Sequence, residues 1–154
     1  MQELSPKARF DALASVLQFE PAQVDAIRHS INHLLKEVSE LVRMVNEAMT
    51  SKGAPQVIGD LGGESREKLQ SLLASFIMRT INCNYDEDFC NYAVEISHSE
   101  DVPPSLFPLG LSLANDFVAQ TLPAAVDDPE RLANMLSAWN RLTSVLRELT
   151  RKQA

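Results

Sequence analysis

Asn84-Tyr85-Asp86-Glu87-Asp88-Phe89, then Ile96-Ser97-His98, then Val102-Pro103-Pro104-Ser105-Leu106-Phe107-Pro108-Leu109-Gly110: the stretch from Asn84 to Gly110 decides the fold. Asn84 with Glu87 three residues on has the arrangement of a capping box, and Phe89, Tyr92, Ala93 and Ile96 follow at helical spacing. The helix that starts there is short and ends near His98. Pro103-Pro104 stop any continuation and open the next helix, because proline has no amide to donate but suits a first helical turn.

Downstream of the prolines, Leu106, Phe107, Leu111, Leu113, Ala114, Phe117, Val118 and Leu122 cover most of a helix circumference, which predicts a central helix. Asp127-Asp128-Pro129-Glu130 is a strong helix start, and Leu132, Met135, Leu136, Trp139, Leu142, Val145, Leu146 and Leu149 carry a final helix. Upstream, residues 64–82 have a broad apolar face built from Leu69, Leu72, Leu73, Phe76, Ile77 and Ile81. Residues 50–63, with Gly53, Pro55, Gly59, Gly62 and Gly63, read as an extended and mobile loop. Before it, the apolar positions from Val24 to Met49 recur every three or four residues, which predicts one long helix, bent if at all, beginning at Glu20-Pro21. Ser5-Pro6 starts a short first helix carrying Phe10, Leu13, Val16 and Leu17. No segment alternates as a strand would. The expectation is an all-α fold of about six helices, with a short fourth helix before Pro103-Pro104, occupying residues 1–154 as one domain.

Composition sets limits on function. With 45% hydrophobic and 23% charged residues among 154, the chain can bury one substantial core without disulfides. Cys83 and Cys90 are the only cysteines and lack a second pair for a thiolate metal site, so they read as idle thiols in a reducing compartment. Fourteen Lys and Arg against 21 Asp and Glu give a net charge of −7, which disfavours nucleic acid as a partner. Arg147, Arg151 and Lys152 read as last-turn residues complementing a helix dipole. Neither a signal sequence nor a membrane-length apolar run is visible, so the expected location is cytoplasmic, without membrane insertion.

The quoted stretch resembles the sensor-globin and protoglobin family, in which a Tyr-Asp-x-x-Tyr start leads through Ile-Gly-x-x-His to Gly-Leu-Pro-Pro-x-Trp-Tyr. The spacing from Phe19 through Met49 is similar to that family's opening helices. The resemblance implies a globin-like fold that holds haem b through a proximal histidine, binds a diatomic gas such as O2, and signals through a helix-mediated interface. His98 is the histidine nearest the ligand's place, which makes it the expected haem and iron ligand. The departures are that the family's ligand, in register with Ile96, falls at Glu100, and that the connection to Pro103-Pro104 is shorter. His98 also lies about 200° around an ideal helix from Ile96.

By the same resemblance, Val45, Leu69, Leu72, Leu73 and Phe76 shape the gas-binding side, with Phe107 and Leu111 also lining the haem pocket. Val45, with Met44, stands where family members often have a Phe-Tyr pair, so the distal side is expected to be apolar. The last two helices are the expected homodimer interface, with an output domain or partner beyond. The same superfamily includes haem-free members, which leaves the alternative of a signalling module that binds a partner protein or an apolar ligand such as a fatty acid. Enzymatic chemistry has no support in the sequence. His29 and His33, at i and i+4, have no third metal ligand, and the acidic residues Asp86, Glu87, Asp88, Glu95, Glu100 and Asp101 read as caps and solvated side chains.

Overall fold

The computed structural model describes residues 3–82 and 84–151, and within them every regular element is helical. Cys83 and Lys152 lie outside the described residues. Eight helices follow in chain order: α1 (Pro6–Val16), α2 (Pro21–Leu35), α3 (Val38–Thr50), α4 (Ala54–Ile58), α5 (Gly63–Ile81), α6 (Glu87–Ser97), α7 (Leu106–Ala125) and α8 (Pro129–Leu149).

The starts follow the local chemistry. The Ser5 hydroxyl accepts from the Ala8 amide, Glu20 and Gln23 form a reciprocal capping box, and the Asp128 carboxylate accepts from Glu130, with proline in each first turn. At α6 the cap is Asp86, whose carboxylate accepts from the Phe89 amide at 2.9 Å, and not Asn84. Asn84 is displaced from that role because Tyr85, between them, is drawn into the core, where its ring packs on Phe10, Phe19 and Phe89 and its hydroxyl donates to the Thr80 carbonyl.

Two elements differ from the sequence expectation. The long helix from Glu20 to Met49 is two, broken at the exposed pair Lys36 and Glu37. Ile27 and Leu34 of α2 pack toward α7 and α8, whereas Leu41, Val45 and Met49 of α3 serve α5 and α7. No straight rod meets both sets of neighbours, so the periodicity survives the break while the axis turns. The loop of residues 50–63 contains α4, a single turn held because Ala54 and Ile58 both bury their side chains.

The core is one contiguous cluster, and α8 is its spine, packed along α1, α2 and α7. Leu142, Val145, Leu146 and Leu149 of α8 are fully buried, each contributing ~1.5–3 kcal/mol of apolar burial. A polar pin fixes α2 on α8: the Trp139 indole N–H donates to Ser30 Oγ at 2.9 Å, and Ser30 donates in turn to the Ile27 carbonyl. Between α5 and α7 the approach is closer still. A Cβ on Gly110 of α7 would lie 2.2 Å from a terminal methyl of Leu73, so any larger residue there would force Leu73 to shift.

Candidate functional site

Helices α5 and α6 converge at one end and part at the other. At the closed end Phe76 of α5 packs on Phe89 of α6, ring centroids 6.3 Å apart, and meets Phe107 of α7 edge-on at 5.0 Å. On the outer side of this contact the Arg79 guanidinium lies over the Tyr92 ring, 3.9 Å from its centroid. Toward the open end the two helices leave a groove of about 750 Å³. Its apolar lining is Leu69 and Leu72 of α5, Ile96 of α6, Val102 from the connection to α7, and Leu61 from the segment before α5. Lys68 stands on the α5 side, with Glu95 and Asp101 on the α6 side, and serines 65, 71, 75 and 99 complete the lining. This half-open trough joins an apolar strip to a larger set of polar and charged groups, as suits an amphipathic molecule, and its volume falls within the usual range of small-molecule sites.

The side chains expected at a ligand pocket separate into three places. Leu69 and Leu72 line this groove. Leu73, Phe76, Phe107 and Leu111 lie deeper, in the closed core between α5 and α7, each no more than 2% exposed. Val45 lies on α3, where with Leu41, Ala74 and Ile77 it lines a different groove of about 630 Å³ between α3 and α5.

His98 stands apart from all of them. It is the C-cap of α6, half-buried, and its Nε2 lies 3.2 Å from the Arg151 carbonyl oxygen just beyond α8. With Val94 it lines a separate depression against Pro6 and Arg9 of α1. Glu95, Ile96 and Ser99 face the groove, so within the last turn of α6 the imidazole points the other way, as the angular offset from Ile96 requires. Glu100, in register with the family's ligand, is exposed. Ser97 is buried and donates to the Val94 carbonyl.

Other sequence candidates resolve simply. His29 and His33 line two different surface depressions, and no cluster of three metal-ligating side chains exists among the described residues. Cys90 is fully buried in α6, and burial pushes its thiol up to about 11. Arg43 pairs with Glu40 and Glu47 on the outer face of α3 and holds the Glu40 carboxyl below its ordinary value. No described helix is long and apolar enough to cross a membrane. Leu61, Lys68 and Val102 were silent in the sequence: each lies in or beside a loop or on a solvated flank, and only the parting of α5 from α6 brings them together.

An all-α domain of crossing helices, with a short α6 ending before two prolines and a ligand-sized groove between it and α5, defines the globin class. The Protoglobin family model matches residues 6–149, and the chain belongs to that family. No curated protein and no solved structure matches it.

The family raises the question of haem, and the residues present do not fit it. The groove lining offers neither imidazole, thiolate, thioether nor phenol to an iron. The deeper space between α5 and α7 is filled by Leu73, Phe76 and Phe107, and the one histidine of α6 and its flanks is engaged on the far side of the helix.

Proposed function

We propose that this chain is a haem-free sensor domain of the protoglobin family that takes one small apolar or amphipathic molecule, of the fatty-acid kind, in the α5–α6 groove and passes its occupancy to a partner. The observation that carries the reading is the direction of His98. Its imidazole bonds the Arg151 carbonyl, while the trough on the opposite face of α6 is walled by Leu69, Leu72 and Ile96. Such a wall favours a ligand through removal of apolar area from water, at ~25 cal/mol per Å², and requires no coordinate bond. The partner contact belongs to the outer faces of α7 and α8, where Leu113 and Leu136 are partly exposed, and a second copy of the chain is the partner this reading favours.

Titration of the purified protein with haemin, followed by absorption, tests the first part. The expected result is a broad band that is the same in the wild type and in His98→Ala. A sharp Soret band lost in His98→Ala would restore His98 as an iron ligand and overturn the reading. The groove is tested with anilinonaphthalene sulfonate: its fluorescence is expected to rise on binding the wild type and not in Ser75→Trp, where an indole takes up the groove volume. Light scattering across a concentration series reports the second copy.

A further inference from the structure

Two carbonyls at the C-terminal end of α8 are held by side chains from distant parts of the chain. Arg9 of α1 donates from Nη2 to the Glu148 carbonyl at 2.9 Å, and His98 donates from Nε2 to that of Arg151 at 3.2 Å. A carbonyl only accepts, so His98 carries its proton on Nε2 here. Beyond Leu149 the chain is held by two tightening bonds, Thr150 N–H to the Leu146 carbonyl and the longer Arg151 N–H to the Glu148 carbonyl at 3.4 Å. Arg9 adds a second donor to the Glu148 carbonyl and His98 ties down Arg151 just after it, and the Arg9 charge also suits the negative pole of α8.

The final turn of α6 is therefore shared by two structures. Glu95, Ile96 and Ser99 form a wall of the groove, while Val94 and His98 face α1 and the end of α8. The other end of α6 is anchored, with Asp86 capping it, Lys7 of α1 donating to the Tyr85 carbonyl, and Phe89 locked among Tyr85 and Phe76. Any displacement of α6 by a groove occupant is consequently largest at Ile96 to His98, the turn that carries the hydrogen bond to Arg151.

We propose that His98 and Arg9 are a clamp on the end of α8, and that filling the α5–α6 groove releases its His98 arm, turning ligand occupancy into loosening of the last turn of α8. This rests on the groove reading above, as the regulation of that site. Coupling between two sites is reciprocal, so breaking the clamp strengthens groove binding by the factor by which occupancy weakens the clamp. One hydrogen bond of ordinary net strength corresponds to a factor of about two to ten.

Hydrogen exchange of the whole chain, read by mass spectrometry, tests the clamp at the Thr150 and Arg151 amides, which bond the Leu146 and Glu148 carbonyls. The variants are His98→Ala, Ser75→Trp as a permanently filled groove, and the two combined, with Ser75→Phe as the smaller filler if the indole impairs folding. Both single variants are expected to speed exchange there severalfold while α2 is unchanged, and the combination is expected to add nothing further. In the same preparations His98→Ala is expected to bind anilinonaphthalene sulfonate about two- to tenfold more tightly than the wild type. Unchanged exchange in His98→Ala shows that no clamp exists. Faster exchange in His98→Ala with unchanged exchange in both fillers shows a clamp uncoupled from the groove; either result overturns the proposal. Failure of the groove reading is separate: the dye then does not bind the wild type, whatever the exchange shows.

Discussion

Gly110→Ala tests whether α5 and α7 are as closely fitted as the structure shows. Two effects oppose each other. Alanine inside a helix is favoured over glycine by about 1 kcal/mol. Against that, the new methyl would sit 2.2 Å from Leu73 Cδ1, 3.0 Å from Cγ and 3.2 Å from Cδ2, whereas carbon atoms settle at about 3.5–4.0 Å. Leu73 is 1% exposed and sits between Leu69 and Phe76 along α5, so it has no open space to swing into. Overpacking of this kind costs about 1–3 kcal/mol, which set against the propensity gain leaves a net loss of up to about 2 kcal/mol. The sign must reverse in a Leu73→Ala background. There the clashing atoms are gone, and Gly110→Ala recovers up to about 1 kcal/mol of a loss that Leu73→Ala alone places at about 2–5 kcal/mol. Equilibrium urea unfolding followed by far-UV circular dichroism on the four proteins measures the cycle. A Gly110→Ala that stabilises the wild type by about 1 kcal/mol, as much as it does in the Leu73→Ala background, would refute the argument, because it would mean that Leu73 yields at no cost.

The polar pin and the buried thiol give two further expectations. Ser30→Ala leaves the Trp139 N–H buried without its acceptor, which costs about 1–3 kcal/mol less a few tenths for helix propensity, so a drop in Tm of about 2–8 °C is expected; Trp139 is the sole tryptophan, and its fluorescence reports the transition directly. Cys90, pushed from the ordinary 9.0 to about 11 by burial, binds its proton more tightly folded than unfolded. Stability therefore declines as pH rises through that interval, and Cys90→Ala is expected to lose that part of the pH dependence in urea titrations; a Cys90→Ala curve parallel to the wild type would contradict it.

Two of the groove's side chains, Leu69 and Leu72, were legible for a local reason. Leu69, Leu72 and Leu73 share an apolar face that the period of α5 exposes to any reader, and Asp127-Asp128-Pro129 marks the start of α8 through the chemistry of a few adjacent residues. Division of that apolar face was not legible. Leu72 ends up in a groove and Leu73 against Gly110 because α6 diverges from α5 while α7 does not, and divergence between helices is not a property of either one. The break at Lys36 and Glu37 escaped detection because a helix that turns between two sets of neighbours can keep its apolar period. Ala54 and Ile58 looked like loop residues because a single helical turn has too few positions to display a period.

By itself the sequence determined that the fold is all-α, where most of the longer helices start, that α7 is central, and that the prolines after His98 separate α6 from α7. Each follows from capping chemistry, apolar period or the missing proline amide, all of which act within a few residues. Only the tertiary structure decided what His98 meets. It is the histidine nearest the place of the protoglobin family's iron ligand, and its offset from Ile96 was legible, but what each side of α6 meets is set by where α1, α5 and α8 stand around that helix. Those placements come from contacts between residues as distant as Arg9 and Glu148, and they turn the imidazole to the end of α8 and leave the groove on the other side to apolar side chains.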